Sequence, residues 1–145
     1  MTTDPSRDWQ GHLEDALAEF AGDSGTLHLL AGSVDDPDAT LVLMAHVGMP
    51  DGLMGAIRSI PVGKGLAGLA AQRDCPVDSC NIQVDDTGDV RPGARATALQ
   101  GAIAVPMRRP GGAVGGVLGI GQREDRQWSA EETEKILRFA AALLG

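Results

Sequence analysis

The sequence predicts an α+β fold in which one sheet carries the helices from both ends of the chain on the same face. Three observations predict it. Apolar residues recur at helical spacing near both termini, around Trp9 to Phe20 and again from Ile136 to Leu144. Strand-length apolar runs such as LVLMAHV and GAIAVPM fill the interior of the chain. Between two such runs stands Pro110-Gly111-Gly112, which has the composition of a hairpin turn.

Each element follows in order. Asp4 and Pro5 read as an N-cap and first helical position, and Trp9, Leu13, Ala16, Leu17 and Phe20 share a face, predicting a first helix over 5–21. Gly22-Asp23-Ser24-Gly25 breaks it, and TLHLLAG and ATLVLMAHV follow as an antiparallel pair of strands joined by the acidic loop SVDDPD. GMPDGLMGAIRS holds a short helix around 51–58, with Leu53, Met54 and Ile57 on one side, before the extended run IPVG. Gly63-Lys64-Gly65 then opens a helix over 65–73, which Asp74 to Pro76 stops. CNIQVD reads as a brief strand, and DDTGDVRPGARATALQ as a polar loop of a length that compact domains seldom carry without a function. Strands over 101–108 and 113–121 flank the Pro-Gly-Gly turn.

The last helix, over 129–144, opens on Ser129 with Glu132 three residues later, a capping box, and Glu131 and Glu132 favour the positive end of its dipole. Its apolar residues form two adjoining stripes, Ile136/Phe139/Ala140/Leu143 and Leu137/Ala141/Leu144. One stripe suffices to lie on a sheet, so the surplus face asks for a partner helix.

A length of 145 residues with 43% hydrophobic content fits one domain, residues 1–145, with its core over 24–121. The formal net charge of -8, without a compensating basic run, excludes nucleic acid as a partner. The polar start MTTDPSRDWQ lacks a secretory signal, and no stretch approaches the roughly 18 apolar residues of a membrane span, so a cytoplasmic location is expected. Cys75 and Cys80 are the only cysteines, too few for a disulfide scaffold.

Three stretches carry a resemblance to a known family. They are Ile60-Pro61-Val62-Gly63-Lys64-Gly65-Leu66-Ala67-Gly68 with Cys75-Pro76-Val77 after it, then Ala102 to Met107 with Val114 to Ile120, and then Trp128-Ser129-Ala130-Glu131-Glu132 leading to Phe139-Ala140. In this order they resemble the GAF family of small-molecule sensor domains, over about 7–144. The stretches Cys80-Asn81-Ile82-Gln83 and Arg91 to Thr97 are similar to those of short stand-alone bacterial GAF proteins. The resemblance implies a GAF/PAS-like antiparallel sheet of five or six strands, with terminal helices on one face and a ligand pocket on the other. It also implies a homodimer through the N- and C-terminal helices, in agreement with the surplus apolar face.

Most specific activities of that family find required residues missing. The cyclic-nucleotide signature needs a Phe where this chain has none between Phe20 and Phe139, and neither Cys has the adjacent His of a bilin attachment site. Haem would lack aromatic enclosure around His46. The family's methionine sulfoxide reductases use a cysteine in the Gly-rich lead-in and another in the long loop, whereas here Gly65 and residues 86–99 supply none. No cofactor, no metal and no catalytic residue is therefore expected. Zinc would need four ligands, the Asp-rich loop departs from an EF-hand, and Gly65 stands where a P-loop requires Ser or Thr.

The expected function is a non-enzymatic, small-molecule-binding sensory domain of unidentified ligand, with His46, Met54, Ile57, Cys80, Asn81, Asp85, Arg95 and Thr97 as candidate ligand-binding residues. Several have a plainer alternative. Cys80 is a buried small apolar residue or a thiol, His46 faces the pocket or the solvent, and Asp85 and Arg95 are solvated loop charges or a closing lid. The Gly63-Lys64-Gly65 amides form an anion-friendly helix start or a tight turn. Two other functions compete: a thiol redox enzyme or sensor using Cys80 and Cys75, and a purely structural dimerisation domain.

Overall fold

The computed structural model describes residues 7–79, 81–83 and 99–145. In chain order the elements are α1 (Trp9–Phe20), β1 (Ser24–Ala31), β2 (Thr40–Val47), a 3-10 turn (Asp51–Leu53), α2 (Met54–Ile57), β3 (Ser59–Pro61), α3 (Gly65–Arg73), β4 (Val77–Ser79), β5 (Gly101–Arg108), β6 (Val114–Gln122) and α4 (Ala130–Leu144). The six strands form one curled antiparallel sheet in the order β3-β2-β1-β6-β5-β4. The α+β class and the antiparallel sheet expected from the sequence are both present.

Two expected boundaries move. Helix α1 starts at Trp9 and not at Pro5, because the Asp8 carboxylate accepts the Gly11 amide at 2.8 Å and caps it; Asp4 and Pro5 lie outside the described residues. The strand expected over CNIQVD forms earlier, at Val77–Ser79 beside β5, and residues 81–83 make a turn. Apolar content alone did not separate these neighbouring segments. At the other end the capping box of α4 forms as read, with the Glu132 amide donating to Ser129 Oγ at 3.0 Å and the Ser129 amide to Glu132 Oε1 at 3.1 Å. The Arg126 guanidinium, paired with Glu132, is the main reason its carboxyl falls to about 2, helped by the Ser129 amide.

Alternation along the strands splits the apolar residues between two faces. Leu27, Ile103, Val105, Met107, Leu118 and Ile120 meet α1 through Leu13 and Leu17, and α4 through Ile136, Ala140 and Leu143. This is the main core. On the other face Leu30, Leu41, Ile60, Val77, Ala104 and Val117 pack with Ala70 and Ala71 of α3. Strand β2 serves both faces because its pairing with β1 jumps from Leu27↔Ala45 to His28↔Leu43. Met44 is the extra residue of a β-bulge, so Leu41 joins the α3 side while Ala45 joins the α1/α4 side.

The Pro61–Gly68 segment shows why its glycines stand where they do. Gly63 and Gly65 take φ of 95° and 67°, a left-handed region costly for other residues. A Cβ on Gly68 would sit 2.6 Å from the Pro61 carbonyl oxygen and 3.0 Å from the Gly63 amide nitrogen, so only glycine lets α3 approach this turn. The Gly63 amide donates to Gly68 O at 2.8 Å and the Lys64 amide to Pro61 O at 3.1 Å. Both amides are consumed internally, which favours the tight-turn reading over the anion-binding one.

Candidate functional site

The sheet face turned away from α1 and α4 is laid out by register. Ser79, Ala102, Gly121 and Ser24 form one row across β4, β5, β6 and β1. Val77, Ala104, Gly119, Thr26 and His46 form the next, reaching β2. Pro106, Val117, His28 and Leu43 form the third. Directly opposed residues share a face, so these side chains all project to the same side.

In the first two rows the β5 and β6 positions are Ala102, Ala104, Gly119 and Gly121, so the floor there carries nothing larger than a methyl group. Polar side chains on β1 lean over it. A Cβ on Gly119 would lie 2.8 Å from Thr26 Oγ1, and one on Gly121 would lie 2.9 Å from Ser24 Oγ and 2.7 Å from Leu99 Cδ1. Gly119 alone in β6 shares this floor with partial exposure, as do Thr26 and His46 beside it. Ile82 and Leu99, packed with Met49, Leu66 and Ala102, give the face an apolar wall.

His28 is the most constrained polar residue here. It is 1% exposed, and its Nε2 lies 2.8 Å from the Ile57 carbonyl oxygen of α2. A carbonyl only accepts, so Nε2 carries the hydrogen, and in the neutral ring Nδ1 is then a bare lone pair. Burial pushes the His28 pKa down, opposed by the bond to Ile57, so the neutral ring is the favoured form. Its Nδ1 is buried without a hydrogen-bond partner among the described residues, as are Ser24 Oγ and His46 Nδ1. Each such orphan costs about 1–3 kcal/mol unless something satisfies it.

Of the residues expected from sequence, His46 lies on the face turned away from α1 and α4, opposite Thr26, and its carbonyl accepts the Gln10 side chain at 3.0 Å. Met54 and Ile57 are half-buried in α2, which the His28 bond ties to the sheet. The Asn81 side chain is committed to holding the chain in place, since Nδ2 donates to Asp125 Oδ1 at 2.7 Å and Oδ1 accepts the Gln83 amide at 2.9 Å. With the Ile82 amide on Gln100 O at 2.6 Å, these bonds fix the two ends of the long loop beside each other. Cys80, Asp85, Arg95 and Thr97 lie outside the described residues.

The sequence reading missed Ser24, Thr26 and His28. The signal for His28 was present, since it alternates with Leu27 and Leu29 and so faces away from the core they build. Among the described residues no group of His, Cys, Asp and Glu is placed to hold a metal ion, and Cys75 is an exposed free thiol. No described helix is long and apolar enough to cross a membrane.

The family profile for the GAF domain matches residues 11–145. No curated protein sequence matches the chain. Solved structures do resemble it. The GAF domain of an Acinetobacter phosphoenolpyruvate-protein phosphotransferase superposes with a TM-score of 0.72 at 21% identity, covering 94% of this chain and 77% of that one. The type II free methionine-R-sulfoxide reductase from Thermoplasma acidophilum gives 0.69 at 20% identity, covering 93% and 86%. The NreA protein of Staphylococcus aureus, mutated in its nitrate binding site, gives 0.70 at 20% identity, covering 93% and 97%. At such identities these likenesses establish a shared fold.

Proposed function

Because this chain belongs to the GAF domain family, we propose that it is a non-enzymatic sensory domain that binds a small molecule on the sheet face opposite α1 and α4 and signals as a homodimer. One observation carries the reading: among the described residues, Ser24 Oγ, His28 Nδ1 and His46 Nδ1 are buried and unpartnered on a single face, whose β5 and β6 positions in the rows of Ser24 and Thr26 are glycine and alanine. A folded domain rarely leaves several such groups on one surface without a molecule to satisfy them. Gly119 keeps partial exposure in the middle of this face, whereas Gly121 is covered by Leu99.

Ser24 and His28 do not form a nucleophile–base pair. A hydroxyl nucleophile needs its base within hydrogen-bond reach. Ser24 and His28 are four positions apart on β1, about 13 Å along the strand. The homodimer reading rests on Phe20, Leu137 and Phe139, which stay only partly buried on α1 and α4 after the monomer has packed. Native mass spectrometry of freshly purified protein tests both parts. A dimer mass with a retained small molecule is expected, and a bare monomer that no metabolite mixture stabilises against heat would defeat the proposal.

A thiol reductase is the second reading, favoured by the likeness to the Thermoplasma acidophilum reductase fold and by the exposed thiol of Cys75. Thiol-dependent turnover of free methionine-R-sulfoxide that disappears in Cys80→Ser would establish it and overturn the non-enzymatic proposal.

A further inference from the structure

Resting on the small-molecule reading above and narrowing its ligand, we infer that this face takes a neutral, elongated organic molecule, with an N–H or O–H donor for His28 at one end and a hydrogen-bonding group for Ser24 at the other. The polarity follows from His28. Its Nε2 hydrogen is committed to the Ile57 carbonyl, so the nitrogen left for a ligand is a lone pair with no hydrogen to offer. A lone pair in a dehydrated site attracts a donor and repels a carboxylate, nitrate or phosphate oxygen.

The rows around it agree. Across Ser79, Ala102, Gly121 and Ser24, then Val77, Ala104, Gly119, Thr26 and His46, then Pro106, Val117, His28 and Leu43, there is no Lys or Arg to neutralise an anion. The wall of Ile82, Leu99, Met49 and Leu66 is apolar. An anion set on these rows would lose its hydration without gaining a countercharge from any of their side chains.

The length follows from the strand. Ser24 and His28 stand about 13 Å apart along β1. Thr26 stands midway between them on β1, with Gly119 beside it on β6 and His46 beside it on β2, so its hydroxyl is placed for the middle of the same molecule. A ligand touching both ends therefore spans on the order of 10 Å, allowing for the hydrogen bond at each end. On its β6 side the middle of the molecule meets Gly119, which bears no side chain.

Adipamide and adipate share one carbon skeleton of suitable length and differ in presenting amide donors or carboxylates, so they isolate the inference. Protein carrying 15N-labelled histidine would be titrated with each at pH 7.5, following the ring nitrogens of His28 and His46 by NMR. Adipamide is expected to move His28 Nδ1 saturably, adipate is not, and acetamide should bind more weakly than adipamide. In Ser24→Ala, which removes a buried unpartnered hydroxyl and so preserves the fold, adipamide should bind about fivefold more weakly, the loss of one hydrogen bond. Saturable binding of adipate but not adipamide would overturn the ligand class while leaving the face as a binding site. Failure of both probes to move either histidine overturns the inference. An empty native mass spectrum would then bring down the small-molecule reading as well.

Discussion

Gly119→Ala separates the use of the sheet face from the stability of the sheet. Gly119 lies outside the left-handed region, so alanine suits its backbone, and the new Cβ meets Thr26 Oγ1 at 2.8 Å and nothing else closer than 3.8 Å. A rotation of the Thr26 side chain relieves that contact. Losing a glycine from a strand interior stiffens the unfolded chain, a gain of about 0.4–1 kcal/mol. The variant should therefore melt at the wild-type temperature or about 1–4 °C above it. Its methyl group occupies the middle of the floor, between Ala104 and Thr26 in their row. Binding of the retained ligand, or of adipamide, should fall at least tenfold, measured by calorimetry beside a thermal melt of the same sample. A stable variant that binds as well as wild type would refute the argument that these small residues are kept for a ligand.

Three further outcomes are expected. Because burial depresses the His28 pKa below 6.5, the unfolded chain takes up the proton first; stability should be complete above that value and decline as pH falls through it. Urea titrations at pH 7.5 and 5.5 check this, and an equal slope in His28→Gln would refute it. Gly68→Ala drives a methyl against the Pro61 carbonyl and the Gly63 amide, both backbone atoms, and should cost about 1–3 kcal/mol in chemical denaturation. Leu137→Lys places a charge on the partly buried stripe of α4 while its aliphatic stem keeps the local packing, and light scattering should report monomers.

What the sequence by itself determined was set by local physics. The capping box at Ser129, the 3.6-residue periodicity of both terminal helices, the helix over Gly65–Arg73 and the hairpin around Pro110-Gly111-Gly112 each depend on residues a few positions apart, and each formed as read. What only the tertiary structure decided depends on residues far apart in the chain. The bulge at Met44 exists because β2 must meet β1 in two phases; no alternation within LVLMAHV reveals it, and it determines that His46 faces Thr26. The side-chain amide of Asn81 donates to Asp125, 44 positions away, a contact that no local pattern announces. His28 was readable as a polar interruption in an apolar strand, but its single free lone pair follows from the carbonyl of Ile57, which only folding brings within 2.8 Å. Local spacing fixes helices and turns, whereas the chemistry of a site depends on which distant groups remain unpaired once the strands are in register.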